Sequence, residues 1–262
     1  MNIYPTSLDP EKAARACCDV HTSKMMLETA QMLNTAALAL GYDDPVYGKM
    51  SPGDKCTVWV GKSRENWDWM VEHGMAYFDE FQKRKKKGHK AFIGLLWAKQ
   101  LNPEKDRFPF EGLTPFPMKV WPRVELVPQH PQECVPVYKR YYGRKEEAWM
   151  IVAKAEALIR LAAGHRLSKG SRPIMEWTEP GFRPDWMPER PESWSWIPND
   201  QFISEAIQYA DSNPDMFDRS QMGFAAFKRV AVNHRQWFVN LASQDFENVD
   251  VEVAKELIRL AS

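Results

Sequence analysis

The sequence lacks an excess of charge of either sign. Its 262 residues carry 35 Lys plus Arg against 35 Asp plus Glu. That balance excludes a globally basic nucleic-acid-coating protein and an acidic solvating tail. It leaves room for a DNA enzyme, because a local basic patch is compatible with a neutral total. Cysteine is scarce: Cys17, Cys18, Cys56 and Cys134 make no disulfide framework in a chain of this size, and the adjacent pair is not expected to bridge. Neither CxxC nor HExxH occurs, so no zinc site is expected and no cofactor is implied. There is no run of about 18 apolar residues, hence no expected membrane span. The opening MNIYPTSLDPEK has no apolar core and does not read as a signal peptide. These absences together describe a cytoplasmic, reduced protein. What is abundant is tryptophan, proline and methionine, at 11, 19 and 13 residues.

The order of local signals describes a mainly α chain. Asp9-Pro10-Glu11 reads as a helix start, with Asp9 as N-cap and Pro10 in the first turn. That helix is expected to run to Leu40 and stop at Gly41. Residues 42–57 are turn-rich. A second helix is expected from Ser63 to about Gln82, with Trp67, Met70, Val71, Phe78 and Phe81 at helical spacing. Residues 101–136 hold eight prolines and read as an extended strap over a core. A third helix is expected over about 144–163, then a Pro/Trp-rich strap over 170–199. Residues 200–262 read as helical again, with Asp200 and Asp250 as caps. The expected domains are a core over 1–150 and a helical C-terminal extension over 151–262.

On a helical wheel of about 100° per residue, Cys18, Thr22, Met25, Met26, Thr29, Leu33, Ala36, Ala37 and Leu40 form a core face. Cys17, His21, Lys24, Glu28, Gln31 and Thr35 form a polar stripe away from it. His21, Lys24 and Glu28 at i, i+3 and i+7 can meet in one patch. An imidazole, an amine and a carboxylate can share acid, base and nucleophile roles. A solvated face is the plain alternative. Against it, Ala14, Leu27 and Ala30 flank the stripe, which points to a partly covered groove.

Two segments carry a family likeness. CCDVHTSKMMLETAQML, with Asp19-x-His21 and then Glu28, resembles the pyrimidine-dimer DNA glycosylase, or endonuclease V-type, family of phage and archaeal proteins. Val137-Tyr138-Lys139-Arg140-Tyr141-Tyr142-Gly143-Arg144-Lys145 is similar to a WYKYYGK segment of the phage enzymes. The resemblance covers about residues 1–150 and implies a compact α-helical fold that flips a nucleotide out of duplex DNA. It implies an amine that attacks the sugar C1′, releases the base and forms a Schiff base that permits strand cleavage. By the same likeness Glu28 stabilises the cationic sugar, and His21 is its helix partner. Lys139, Arg140, Tyr141, Tyr142, Arg144 and Lys145, with Gln31, are the implied DNA contacts.

The chain also departs from the pattern. The phage enzymes expose a small second residue, whereas here position 2 is Asn2. The candidate nucleophiles at the chain start are therefore Met1 and Asn2, with the Lys24 amine as the side-chain alternative. Leu27 and Gln31 stand where the phage enzymes have arginines. Three functions follow as expectations. The first is a pyrimidine DNA glycosylase, with or without lyase activity. The second is a phage DNA-hypermodification enzyme, such as an amino-acid:DNA transferase, in which Lys24, Arg140 and Arg144 hold a leaving phosphate. The third is a non-catalytic DNA-binding module of the same fold.

Other features read two ways. The run Lys83, Arg84, Lys85, Lys86, Lys87, His89, Lys90 is a solvated helix end or a phosphate contact. Trp177, Trp186 and Trp194–Trp196 pin straps or stack on flipped bases. Cys17 is a small buried hydrophobe or a nucleophile.

Overall fold

The computed structural model describes residues 2–48, 50–120, 127–162, 175–178, 183–190, and Gln208 and Ser212, with α6 side chains described through Glu146. The elements are α1 (Pro10–Ala16), α2 (Asp19–Ala39), α3 (Lys55–Val60), α4 (Arg64–Lys85), α5 (Phe92–Leu101), a 3-10 turn at Lys105–Arg107, and α6 (Pro131–Ala162). The fold is mainly α, and no strand occurs among the described residues. None of the described helices is long and apolar enough to cross a membrane. The expected helices beyond 200 and the Trp194–Trp196 cluster lie outside the described residues.

The chain divides into two compact units. One holds 1–142 and 175–187; the other holds 143–174 and 188–262. The division falls at 142 rather than 150, and the middle of the second strap belongs with the first unit.

The expected helix over 10–40 is two helices. Cys17 (φ −74°, ψ 143°) and Cys18 (φ −68°, ψ 165°) are extended and separate α1 from α2. No glycine or proline marks this break. Its cause is tertiary. Arg84, at the end of α4, donates from Nη1 to Cys17 O at 2.6 Å and from Nη2 to Arg15 O at 2.9 Å. Trp177 Nε1 donates to Ala16 O at 3.1 Å, and Asp19 N–H donates to Glu176 O at 2.8 Å. These partners take the groups that a continuing helix would pair internally. Arg84 therefore does not belong to the solvated basic run in which the sequence places it.

Helix α2 packs against α4 and α5 and is buried except along a stripe that includes Val20, Ser23, Lys24, Leu27 and Gln31. Its contact with α4 is close because Gly74 has no side chain. A Cβ there would lie 2.6 Å from Leu95 Cδ2 and 2.7 Å from Thr29 Cγ2. Asp9 caps α1 through Glu11 N and Lys12 N, and Ser63 caps α4 through Asn66 N. Trp59, Trp67 and Trp69 are core, with Trp59 and Trp69 edge-to-face at 5.9 Å. The Pro-rich strap lies over this cluster: Trp59 Nε1 donates to Thr114 O, and Asn66 Nδ2 donates to Thr114 Oγ1.

The strap ends sooner than its prolines suggest. Helix α6 starts at Pro131, where the ring suits the first turn, and it absorbs Pro136. Pro136 lacks one N–H near the helix start, a local loss that packing outweighs. Cys134, Tyr138 and Tyr142 follow at intervals of four, all fully buried.

Candidate active site

Glu28 sits mid-way along α2 and is 8% exposed. The Asn2 main-chain N–H donates to Glu28 Oε2 at 3.4 Å, and Lys24 Nζ lies 3.6 Å from Oε1. Lys24 is largely exposed, so the pair is worth under about 1 kcal/mol of stability. Its significance is positional: it places an amine beside a recessed carboxylate.

The Asn2 side chain anchors the start of the chain at this site. Its Oδ1 accepts from Ile3 N at 2.9 Å and Tyr4 N at 3.4 Å, and its Nδ2 donates to Lys119 O at 2.7 Å. Burial raises the pKa of the nearby Tyr141 hydroxyl, and the Asn2 side chain opposes that rise. Tyr4 follows with φ +46°, in the left-handed region that a bulky residue rarely adopts. It is held there by packing. Its ring stacks on His21 at 4.9 Å and meets Tyr142 edge-on at 5.1 Å. Met1 lies outside the described residues.

His21 does not join Lys24 and Glu28 in an open patch. It is 2% exposed, inside the aromatic cluster of Tyr4 and Tyr142. The Tyr142 hydroxyl accepts from Cys18 N–H at 2.9 Å and lies 2.7 Å from His21 Nδ1. Cys18 Sγ lies 3.4 Å from the same nitrogen.

Lys119 and Asp54 were not legible as site residues. Lys119 Nζ donates to Asp54 Oδ2 at 2.6 Å, and the Lys119 carbonyl holds Asn2. Burial works against both charges, yet the pair outweighs it: the ammonium pKa is raised and the carboxyl pKa is lowered. Both residues sit in loops, where no periodicity reports them.

The expected DNA contacts disperse. Tyr142 is interior, with its hydroxyl on Cys18 and His21, and its assignment to a DNA surface is corrected. Tyr141 is half-buried beside Asn2. Lys139 Nζ lies 5.6 Å over the Trp186 ring and lines a groove of 520 Å³. Arg140 is exposed, and Arg144 and Lys145 belong to the second unit. Gln31 is half-buried, close to Gly48. Cys17 is fully buried, as a small core residue would be: burial pushes its thiol up to about 12, and Sγ lies 3.1 Å from Tyr77 Oη.

A groove of 830 Å³ opens beside Lys24. Asp19, Ser23 and Leu27 of α2 form one side, and Tyr47, Phe81, Lys85 and the segment Lys87–Lys90 complete it. His89, which had no visible partner in the sequence, has two. Ala91 N–H donates to its Nδ1 at 3.1 Å, which leaves the proton of a neutral ring on Nε2, 3.4 Å from Ser23 Oγ. Burial, then the charge of Lys87, lowers the His89 pKa. Among the described residues no group of three or more His, Cys, Asp and Glu has the geometry of a metal site.

The chain matches no family model, no characterised protein and no solved structure.

Proposed function

We propose that the protein is a DNA-base-directed enzyme, a pyrimidine DNA glycosylase acting on a damaged or modified base flipped out of a duplex. The observation that carries this reading is the recessed Glu28 carboxylate, held between the Asn2 main chain and the Lys24 amine. The resemblance in CCDVHTSKMMLETAQML supplies the reaction class.

In that reaction an amine nitrogen bonds C1′ as the bond from C1′ to the base breaks. The departing base takes up a proton. Opening of the sugar ring leaves an imine, and removal of a C2′ proton then expels the 3′ phosphate. In this reading Glu28 stabilises the cationic sugar and carries the proton. Lys24 Nζ is the described amine beside it; the Met1 amine is the other candidate. The setting is the cytoplasm and the partner is double-stranded DNA.

The test is borohydride trapping on duplexes with an abasic site or a modified pyrimidine. A covalent adduct is expected, and peptide mapping of it separates Lys24 from Met1. Glu28→Gln is expected to slow base release by about 10²–10⁴-fold. No adduct and no released base would sink the glycosylase. A mass gain on a phosphorylated hydroxymethyl-pyrimidine oligonucleotide would put the amino-acid:DNA transferase in its place.

A further inference from the structure

The groove beside Lys24 has a composition that the reaction at Glu28 does not use. Its rim carries Lys85, Lys87 and Lys90, and its floor is apolar, from Leu27 and Phe81. Lys85 meets one carboxylate, Asp19 Oδ2, at 3.5 Å and remains 40% exposed. Lys87 and Lys90 have no carboxylate within ion-pair distance among the described residues, and both are exposed. Three cations on one short turn repel one another unless an anion arrives.

The groove also presents a neutral donor. Ser23 Oγ accepts from His89 Nε2–H in the tautomer set by Ala91 N–H. The serine hydrogen is then available to a further acceptor. Tyr47 closes the opposite wall and is fixed in place. Its N–H donates to Asn34 Oδ1 at 3.1 Å, and its Cβ packs directly on Gly94. The buried Asn34 also donates to Gly94 O at 3.1 Å, so one side chain sets both the tyrosine loop and α5.

We propose that this groove seats the phosphodiester backbone of the DNA strand next to the nucleotide held at Glu28. Phosphates lie on Lys85, Lys87 and Lys90, and a base or sugar face lies against Tyr47. Charge complementarity selects a polyanion, and an 830 Å³ trough with an aromatic wall suits a strand better than a lone ion. Continuity selects the site: Lys24 lines the groove and also stands 3.6 Å from Glu28. The strand thus enters past residues 85–90 rather than along 139–145. The inference rests on the proposed action at Glu28.

The experiment measures binding of the full chain to a fluorescent 21-base-pair duplex at several salt concentrations. Each phosphate contact adds about 0.9 to the slope of log K against log salt. K85A/K87A/K90A should flatten the slope by about 2.7 units if each lysine holds one phosphate. K87A/K90A, which disturbs no ion pair among the described residues, should flatten it by about 1.8. K62A/K99A/K105A removes the same charge elsewhere and should leave most of the slope. Equal slopes for the groove and control variants would overturn the inference while duplex binding by the unaltered chain stands. A chain that binds no duplex at any salt overturns both the inference and the reading at Glu28. Millimolar dTMP or pyrophosphate that binds the groove, with the duplex slope unchanged in K87A/K90A, identifies a small phosphate ligand and also overturns it.

Discussion

His73 gives the sharpest test of the interior. It lies on α4, wholly buried, between Trp69 at 4.4 Å and Tyr77 at 4.5 Å between ring centroids. Neither ring nitrogen has a hydrogen-bond partner among the described residues. Burial lowers its pKa from 6.5 to about 3, so the folded protein holds a neutral ring where the unfolded chain would hold a cation. The unfolded state binds more protons below pH 6.5, so stability falls as pH falls through that value. The slope approaches about 1.4 kcal/mol per pH unit. Between pH 7 and pH 5 the loss from this one residue is about 2 kcal/mol. Urea unfolding at pH 7, 6 and 5 measures it. Carboxylates contribute to the same curve, so the comparison is with His73→Phe and His73→Leu, which carry no titrating ring. The difference between the natural chain and either variant should widen by about 2 kcal/mol from pH 7 to pH 5. At pH 7 the leucine variant should be as stable or more so, because two unpaired polar atoms are removed. Parallel pH curves would refute the reasoning and show that His73 is solvated or partnered.

Arg84→Ala should cost about 3–5 kcal/mol, read by denaturation, because it removes the buried guanidinium shared by Asp19 and Glu80 and frees the Arg15 and Cys17 carbonyls. Arg84→Lys should recover little of this, since one ammonium cannot reproduce the guanidinium fork. Gly94→Ala should lower stability by about 1–3 kcal/mol and weaken duplex binding, because its Cβ would lie 2.6 Å from Tyr47 Cβ; unchanged melting would mean that the tyrosine wall is soft. All four cysteines are buried, and the thiols of Cys17 and Cys56 are pushed up to about 12 and that of Cys134 to about 11. Alkylating reagents at pH 8 should therefore label them only after unfolding, as mass spectrometry would show.

The elements legible in the sequence are those whose ends are set locally. Asp9-Pro10 caps α1, and Ser63 caps α4 within its own first turn, so both starts could be read. The break at Cys17–Cys18 could not. Helical propensity continues through it, and the groups that force it arrive from Arg84, Trp177 and Glu176, all distant in sequence. Helix α3 was hidden in a stretch dominated by turn residues. In α5, the apolar run Phe92–Leu101 follows lysines with no capping side chain, so nothing local announced its start.

The site was legible where it depends on one helix and obscure where it depends on several. Glu28 and Lys24 are neighbours by spacing alone, and they do pair. The placement of His21 depends on Tyr142, and that in turn depends on where α6 begins. Reading the prolines at 131 and 136 as a strap hides the helix that carries the tyrosines. With α6 started at Pro131, Cys134, Tyr138 and Tyr142 fall at i, i+4 and i+8, an apolar stripe that belongs inside. The aromatic residues of that segment then face the core, and in the proposed reading the DNA contacts pass to other cations. That is why Lys85, Lys87 and Lys90, in a run with two open readings, become the stronger candidates. A helix can present one face to the core and another to a ligand, and here the core has taken the tyrosines.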